Sequence, residues 1–382
     1  MSGVGRLAIA LGGTDWGRSG VGVYAREVLR TLVPRVTDSG GSVVALGTPR
    51  DLEAYADDLL GVDRSVAPVD SPLTSALWYA TWAGRAARRA GADVLLLPAA
   101  NRRVAFRAGL PVVGVVHDLA QLHVEQKYDP LRMFYFSRVM LPALGTMTRL
   151  VAVSEATRRD LVSVLGRGAP PIDVVPNGVD AARFRPLRDD DPASDAARRA
   201  LGLDAPYLLY ASRLEHPGKN HLRLLEAFAR SRARTTHLLV LAGKDWGAGP
   251  LIEKRAAELG IRDRVRMLGF VDDALLPGLV AGSRAVLMLG LHEGFGLPAL
   301  EAIAMGKPVC ASSTGALPEV VGPFAALSNP FDMGSIVAAL ERAAFDETLA
   351  AQARAEGPKW AESRDWSRTA EGLLAACAAA TR

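Results

Sequence analysis

Cysteine is nearly absent: Cys310 and Cys377 are the only two in 382 residues. Two thiols build neither a disulfide framework nor a thiolate metal cluster, which excludes a small secreted scaffold and a zinc-ribbon module. A reducing cytoplasm is the expected compartment. No uninterrupted apolar run approaches the roughly 18 residues of a membrane-spanning helix, so membrane contact, if any, is expected to be peripheral. The stretch up to Gly13 holds only the short run Leu7 to Leu11, without the three-part layout of a secretory signal, and reads as a first strand. An excess of one charge is missing too. Lys and Arg number 45 against 41 Asp and Glu, a net charge of +4. No basic arm occurs, and the densest cluster, Arg85, Arg88 and Arg89, is mixed with Ala as a solvated helix face is. Nucleic acid is therefore not an expected partner.

What is present is ordinary globular material: 49% hydrophobic and 23% charged residues, which rules out a disordered or fibrous chain. The length suggests two or three domains at about 150 residues each. Short runs rich in Val, Leu and Ile alternate with stretches of helical period, the pattern of parallel strands buried on both faces with crossover helices. Expected strands in the first half are Leu7–Leu11, Ser42–Leu46, Asp93–Leu97, Val112–Val116, Leu150–Val153 and Ile172–Val175. Between them Tyr24, Val28 and Leu32 recur at helical spacing, and Ser154 offers an N-cap. After the turn signal Pro176-Asn177-Gly178 the texture becomes charged and Pro/Ala-rich. A second series then begins: Tyr207–Tyr210, His237–Leu241, Val265–Leu268, Ala285–Leu289 and Pro308–Ala311. The expected class is α/β, two doubly wound parallel sheets, residues 1–185 and 186–365, with a ligand cleft between their carboxyl edges.

The most informative segment is His292-Glu293-Gly294-Phe295-Gly296-Leu297-Pro298-Ala299-Leu300-Glu301. It follows an expected strand and opens a helix near Gly296, with Pro298 in the first turn, where a missing N–H costs nothing. The backbone N–H groups of Phe295, Gly296 and Leu297 would then face an anion. Glu293 and Glu301, eight residues apart, frame that site and can accept paired hydrogen bonds from a vicinal diol. Taken alone, the segment equally fits a helix capped by Glu293 with Glu301 in solvent.

The segment resembles the E-x7-E motif of the family 4 retaining glycosyltransferases of GT-B fold. The resemblance runs through nearly the whole chain: Gly20-Val21-Gly22, Val116-His117-Asp118, Val153-Ser154-Glu155-Ala156-Thr157, Pro176-Asn177-Gly178-Val179-Asp180, Ser212-Arg213-Leu214 with Lys219-Asn220, Leu268-Gly269-Phe270, and Pro318-Glu319-Val320. It implies a GT-B architecture with an N-terminal acceptor domain, a C-terminal nucleotide-sugar domain, and a last helix, 366–382, returning to the first domain. It implies Glu293 at the sugar hydroxyls, Glu301 at the ribose, and Gly269 and Phe270 at the base through backbone groups. Gly20 and Gly22 would approach the β-phosphate and acceptor. His117, with Asp118 beside it, would contact the transferred sugar near the acceptor. Three positions depart from the usual pattern: Leu289-Gly290 for Pro-Ser, His292 for an aromatic, and Gly243-Lys244-Asp245 for Gly-x-Gly.

Arg213 follows one expected strand, and Lys219 is expected to begin a helix with Leu222, Leu225 and Phe228 facing inward. Both cations fall at the carboxyl edge that also carries Glu293. A departing diphosphate must be neutralised by a divalent metal or by fixed cations and helix N-termini. No Asp-x-Asp element lies on a strand edge, and Asp189-Asp190-Asp191 falls in the linker, so cations are expected to replace the metal and no cofactor is expected beyond the nucleotide sugar. In front-face transfer the leaving phosphate takes the acceptor proton, and no protein nucleophile is needed.

Two rival readings remain. Gly20-Val21-Gly22-Val23-Tyr24-Ala25 fits the G-x-G-x-x-A form of a dinucleotide fingerprint and raises a two-domain NAD(P)-dependent oxidoreductase. Against it, eight residues separate Leu11 from Gly20, and Leu46-Gly47-Thr48 offers no acid for a ribose. A sugar-nucleotide epimerase or hydrolase would bind the same donors without an acceptor. The acceptor itself is not specified: a small molecule, a glycan or a lipid-linked sugar all fit. The apolar stretch Tyr128 to Met147 reads as core first and as an aglycone or membrane-contact face second, and Arg102, Arg103 and Arg107 are compatible with anionic lipid.

Overall fold

The apolar runs become parallel strands buried on both faces. The computed structural model describes residues 4–125, 130–187 and 191–382, with the side chain of residue 131 also outside the description. Asp189, Asp190 and Tyr128, named above, fall outside it. The chain divides into two units: Met1–Leu119, Tyr128–Gly178 and Trp366–Arg382 form the first, and Ala120–Lys127 with Val179–Asp365 the second.

In the first unit β1 (Arg6–Ala10), β2 (Ser42–Gly47), β3 (Asp63–Val66), β4 (Val94–Leu97), β5 (Val112–Val116), β6 (Arg149–Ala152) and β7 (Ile172–Val174) form one sheet. Their order is β3-β2-β1-β4-β5-β6-β7. Every pairing is parallel. Residues such as Leu7, Ile9, Leu95 and Val113 lose all solvent exposure, each worth about 1.5–3 kcal/mol relative to an exposed position. The helix Gly20–Asp38 buries Tyr24, Val28 and Leu32, as their spacing requires, and Ser19 caps it by accepting from the Gly22 N–H at 3.3 Å. The last helix, Trp366–Ala380, buries Ala370, Leu373 and Cys377 within this same unit. Its Trp366 meets the Tyr24 ring edge to face at 5.9 Å, and Thr369 donates to the Pro176 carbonyl at 2.8 Å.

The second unit repeats the plan with β8 (Tyr207–Ala211), β9 (Leu238–Ala242), β10 (Val265–Gly269), β11 (Ala285–Met288), β12 (Val309–Ser312) and β13 (Ala325–Ser328), in the order β10-β9-β8-β11-β12-β13. Each unit is thus the expected doubly wound, Rossmann-like sheet. In each the strand order reverses once, between β1 and β4 and between β8 and β11, and loops leaving the carboxyl ends of such strands are where ligands bind.

Two strands escaped the sequence reading, and both are sheet edges. β3 reads Asp-Arg-Ser-Val and lies largely in solvent. β13 reads Ala-Ala-Leu-Ser and leaves Leu327 exposed. β3 is polar and β13 is built mostly of small residues, so neither carries the continuous Val/Leu signature, whereas the other two edges, β7 and β10, were expected. The passage to the second unit also comes earlier than the boundary expected at 185, because the Val179 N–H already donates to Arg364 O at 2.8 Å and Val179 ladders with Asp365. Ala120–Lys127, expected in the first half, belongs to the second unit as well.

Candidate functional site

The loops that leave β8 and β11 at the switch point of the second unit carry five of the expected residues, Arg213 and Lys219 on one and Glu293, Phe295 and Gly296 on the other. The Leu291 N–H donates to Gly218 O at 2.9 Å, which joins the Lys219 loop to the Glu293 loop. Across that join Lys219 Nζ donates to both carboxylate oxygens of Glu293, at 2.8 and 2.9 Å. Both side chains are mostly buried, so water screens the pair little. Glu293 therefore does not cap the following helix. That helix runs Leu297–Ala304 and starts from Gly296, whose φ of +99° suits glycine alone; Pro298 sits in its first turn. Among the described residues no acceptor is bonded to the N–H of Phe295, Gly296 or Leu297.

Lys219 itself lies before its helix, which begins at His221 after a left-handed Asn220. The inward face is His221, Leu224, Leu225 and Phe228, with Leu222 only partly buried, a shift that follows from the later start. Tyr210 fixes the loop by donating to Lys219 O at 2.8 Å. Arg213 is held by Glu215 at 2.5 Å and lies over the Trp246 ring at 4.6 Å. Neither partner was singled out from sequence, yet Glu215 two residues on from Arg213 was a readable signal.

Glu301 sits one turn into the Leu297–Ala304 helix. Burial pushes its carboxyl up to about 7; Arg183 opposes the shift and Asp273 adds to it. Arg183 and Asp273 are themselves paired, the guanidinium reaching Asp273 Oδ1 at 3.3 Å and its carbonyl at 2.8 Å. Near neutrality Glu301 can both donate and accept, which matches a diol. Gly269 ends β10 at φ +67°, beyond a register shift in the ladder, and hands the chain to an exposed Phe270.

Two of the three departures from the family pattern have local causes. A Cβ on Gly290 would lie 2.2 Å from Glu293 Oε1, so the glycine is what lets that carboxylate fold onto Lys219. Asp245 accepts from the Gly249 N–H at 2.9 Å and the Gly247 N–H at 2.8 Å, which hold its carboxyl below the usual range. It serves a turn that presents Trp246.

The remaining expected residues belong to the first unit. His117 follows β5 and is buried, its Nε2 2.7 Å from Pro98 O, with the Tyr24 ring edge-on at 4.6 Å. Burial pulls its pKa down to about 4, partly offset by the Pro98 contact. The ring is thus neutral, donates from Nε2, and leaves Nδ1 as an acceptor. The Asp118 carbonyl accepts from Asn101 Nδ2 at 3.3 Å. Gly20 and Gly22 open the first helix and do not form a loop; a Cβ on Gly22 would meet the Gly17 backbone and Thr14 O at 2.6 Å, so packing of the 14–17 turn accounts for that glycine. A Cβ on Gly20 would meet nothing within 4 Å. A dinucleotide fingerprint finds no support here, since β1 ends ten residues before Gly20. Arg102, read as a lipid contact, instead donates to Gly13 O at 3.1 Å and pairs with Asp15. Phe136, Met140 and Leu144 are core.

A family model described as "Glycosyl transferases group 1" matches residues 194–360, and one described as "Glycosyltransferase Family 4" matches residues 18–183. The chain is 32% identical over 297 residues to the D-inositol 3-phosphate glycosyltransferase of Frankia alni, covering 71% of this chain and 69% of that protein. It is 32% identical over 248 residues to the MMP alpha-(1->4)-mannosyltransferase of Mycolicibacterium hassiacum, covering 62% of this chain and 57% of that one. The matched stretch therefore spans 57 to 69% of the length of these curated relatives. In fold it is similar to Anabaena HepE solved with UDP and glucose, at a TM-score of 0.76 and 18% identity, over 98% of this chain and 99% of that one.

Proposed function

We propose that this chain, which belongs to the family 4 glycosyltransferases of GT-B fold, moves a hexose-type sugar from a nucleotide diphosphate donor to a hydroxyl acceptor, with retention at the anomeric carbon and without a metal ion. The observation that carries the reading is the Lys219–Glu293 pair set beside the start of the Leu297–Ala304 helix: an ammonium, a carboxylate and backbone N–H groups in one place. A sugar diphosphate presents the complementary groups in the same order. Its hydroxyls suit Glu293, and its phosphates suit Lys219, Arg213 and the N–H groups of Phe295, Gly296 and Leu297.

In that assignment Lys219 passes from Glu293 to the diphosphate when the donor binds. Arg213, aligned by Glu215 and Trp246, adds a second fixed charge. Glu301 takes the ribose diol, and Gly269 and Phe270 meet the base. His117, neutral and holding its Nε2 proton on Pro98, is assigned to the transferred sugar as an acceptor of a hydroxyl hydrogen bond and not as an acid. The bond from C1 to the β-phosphate oxygen breaks, the acceptor oxygen joins C1 on the same face, and its proton goes to the leaving phosphate. Fixed cations supply the charge stabilisation that a metal would otherwise give.

The test is transfer from UDP-glucose and GDP-mannose to a polyol panel that includes the inositol phosphate named for the Frankia relative, read by proton NMR with EDTA present. An α-linked product from an α-linked donor is expected, at a rate EDTA leaves unchanged. A β-linked product overturns retention, activity lost to EDTA and restored by Mg²⁺ overturns metal independence, and donor consumption without an acceptor points to an epimerase or hydrolase.

A further inference from the structure

The His117 ring is held in two ways. Its Nε2 donates to Pro98 O at 2.7 Å, and the Tyr24 ring stands nearly perpendicular to the imidazole, at 83° and a centroid distance of 4.6 Å. A single hydrogen bond fixes one ring atom and lets the ring pivot about the nitrogen–oxygen axis. A second ring packed across it removes that freedom, and edge-to-face pairs at this distance are attractive in their own right. The atom that a pivot would carry away is Nδ1, the acceptor offered to a sugar hydroxyl.

Tyr24 is in turn fixed by a distant part of the chain. Trp366, the first residue of the last helix, meets the Tyr24 ring at 5.9 Å and 68°, and both side chains are buried. That helix has anchors of its own: Thr369 donates to Pro176 O at 2.8 Å, and Leu373 and Cys377 are buried. His117, Tyr24, Pro98 and Trp366 all belong to the first unit.

The Tyr24 hydroxyl takes no part in this contact. Among the described residues it has no hydrogen-bond partner, and burial, with Cys377 adding to it, pushes its pKa up, so it keeps its proton. What Tyr24 offers His117 is a ring.

We infer that Tyr24 is a positioning residue for His117, and that Trp366 holds Tyr24 in place, so that the last helix acts on the site through the imidazole. The inference rests on the assignment of His117 to the transferred sugar, and the experiment separates the two.

Transfer is measured for His117→Ala, Tyr24→Leu, Tyr24→Phe and Trp366→Leu, and for Tyr24→Leu and Trp366→Leu each combined with His117→Ala, with Tm as the folding control. His117→Ala sets the reference, a loss divided in some ratio between kcat and donor KM. Tyr24→Leu should divide its loss in the same ratio, with kcat/KM lowered about fivefold, the worth of one edge-to-face contact. Trp366→Leu should show a smaller loss of the same kind, and its cycle decides the matter where Tyr24→Leu does not fold. Tyr24→Phe keeps the ring and should keep the parent rate, with Tm no lower, since a buried unpaired hydroxyl is removed. In the His117→Ala background neither leucine variant should cost anything further, because no imidazole remains to be held. Losses that multiply with that of His117→Ala would show a role in the core alone and overturn the inference. So would a Tyr24→Phe that loses rate as Tyr24→Leu does. Parent-like transfer by His117→Ala would refute the assignment of His117 itself, and the inference with it.

Discussion

Replacing Lys219 by Met removes the ammonium and keeps most of the side-chain volume. In the structure Nζ lies 2.8 and 2.9 Å from the Glu293 oxygens, in a mostly buried setting. If the donor phosphate takes over that ammonium at about 4 Å, Coulomb's law at an effective dielectric of about 20 gives about 4 kcal/mol. Removing one preorganised stabilising group from a transition state typically costs about 3–4 kcal/mol. Arg213 and the helix N–H groups remain and take up part of the charge, so a net loss of about 3 kcal/mol is expected, on the order of 10²-fold in kcat. The stranded Glu293 carboxylate would also repel the diphosphate, and Lys219→Met with Glu293→Gln should relieve that share, recovering donor binding without recovering rate. The assay is release of nucleoside diphosphate at saturating donor, with Tm as the folding control. A kcat within threefold of the parent chain in folded Lys219→Met would refute the assignment of leaving-group stabilisation to this lysine.

Three further outcomes follow from the same geometry. Gly290→Ser introduces a Cβ where Glu293 Oε1 now lies, 2.2 Å away, and should displace the carboxylate from the position assigned to the sugar hydroxyls, raising the donor KM about tenfold, the worth of one charged hydrogen bond; an unchanged KM would show that Glu293 does not depend on this glycine. Glu301 has its carboxyl raised from 4.5 to about 7, so its contribution to stability is complete below about pH 4.5 and lost as the pH rises through about 7. Glu301→Gln should flatten Tm across that window, and a parallel pH dependence in both proteins would contradict the burial argument. His117 has its pKa lowered from 6.5 to about 4; its contribution is present above pH 6.5 and lost as the pH falls through about 4, and His117→Gln should remove that acid-side loss from the Tm profile.

Much of this was legible in the sequence because buried parallel strands cannot be disguised. Val112–Val116 was placed to the residue, and the other central strands lie within a residue or so of their expected ends. The edge strands β3 and β13 were not, since one is polar and the other is built mostly of small residues. The candidate site was legible through spacing: Glu293, Gly296 and Glu301 share one loop and helix. What spacing could not convey is which partner a charge finds. Lys219 was read as a diphosphate ligand facing Glu293, and only the Leu291–Gly218 hydrogen bond explains why the two are already joined. At Gly22, expected to approach a phosphate, spacing also could not convey that a Cβ would clash with the Gly17 backbone and Thr14 O, a packing reason for the glycine. Glu215 stands two residues from Arg213 and could have been read, whereas Trp246 carries no motif of its own and its place over the Arg213 guanidinium is visible only in space.

The central claim, that the second unit holds a nucleoside diphosphate on fixed cations, is tested most directly by thermal unfolding of the parent chain and Lys219→Met against UDP, GDP, dTDP, their monophosphates, NAD⁺ and NADP⁺. At about a hundred times its Kd a ligand adds about 2.7 kcal/mol, enough for a readable rise in Tm. One of the diphosphates should stabilise the parent chain more than its monophosphate does, and Lys219→Met should lose that difference. Stabilisation by NAD⁺ or NADP⁺ with no response to any diphosphate would contradict the account.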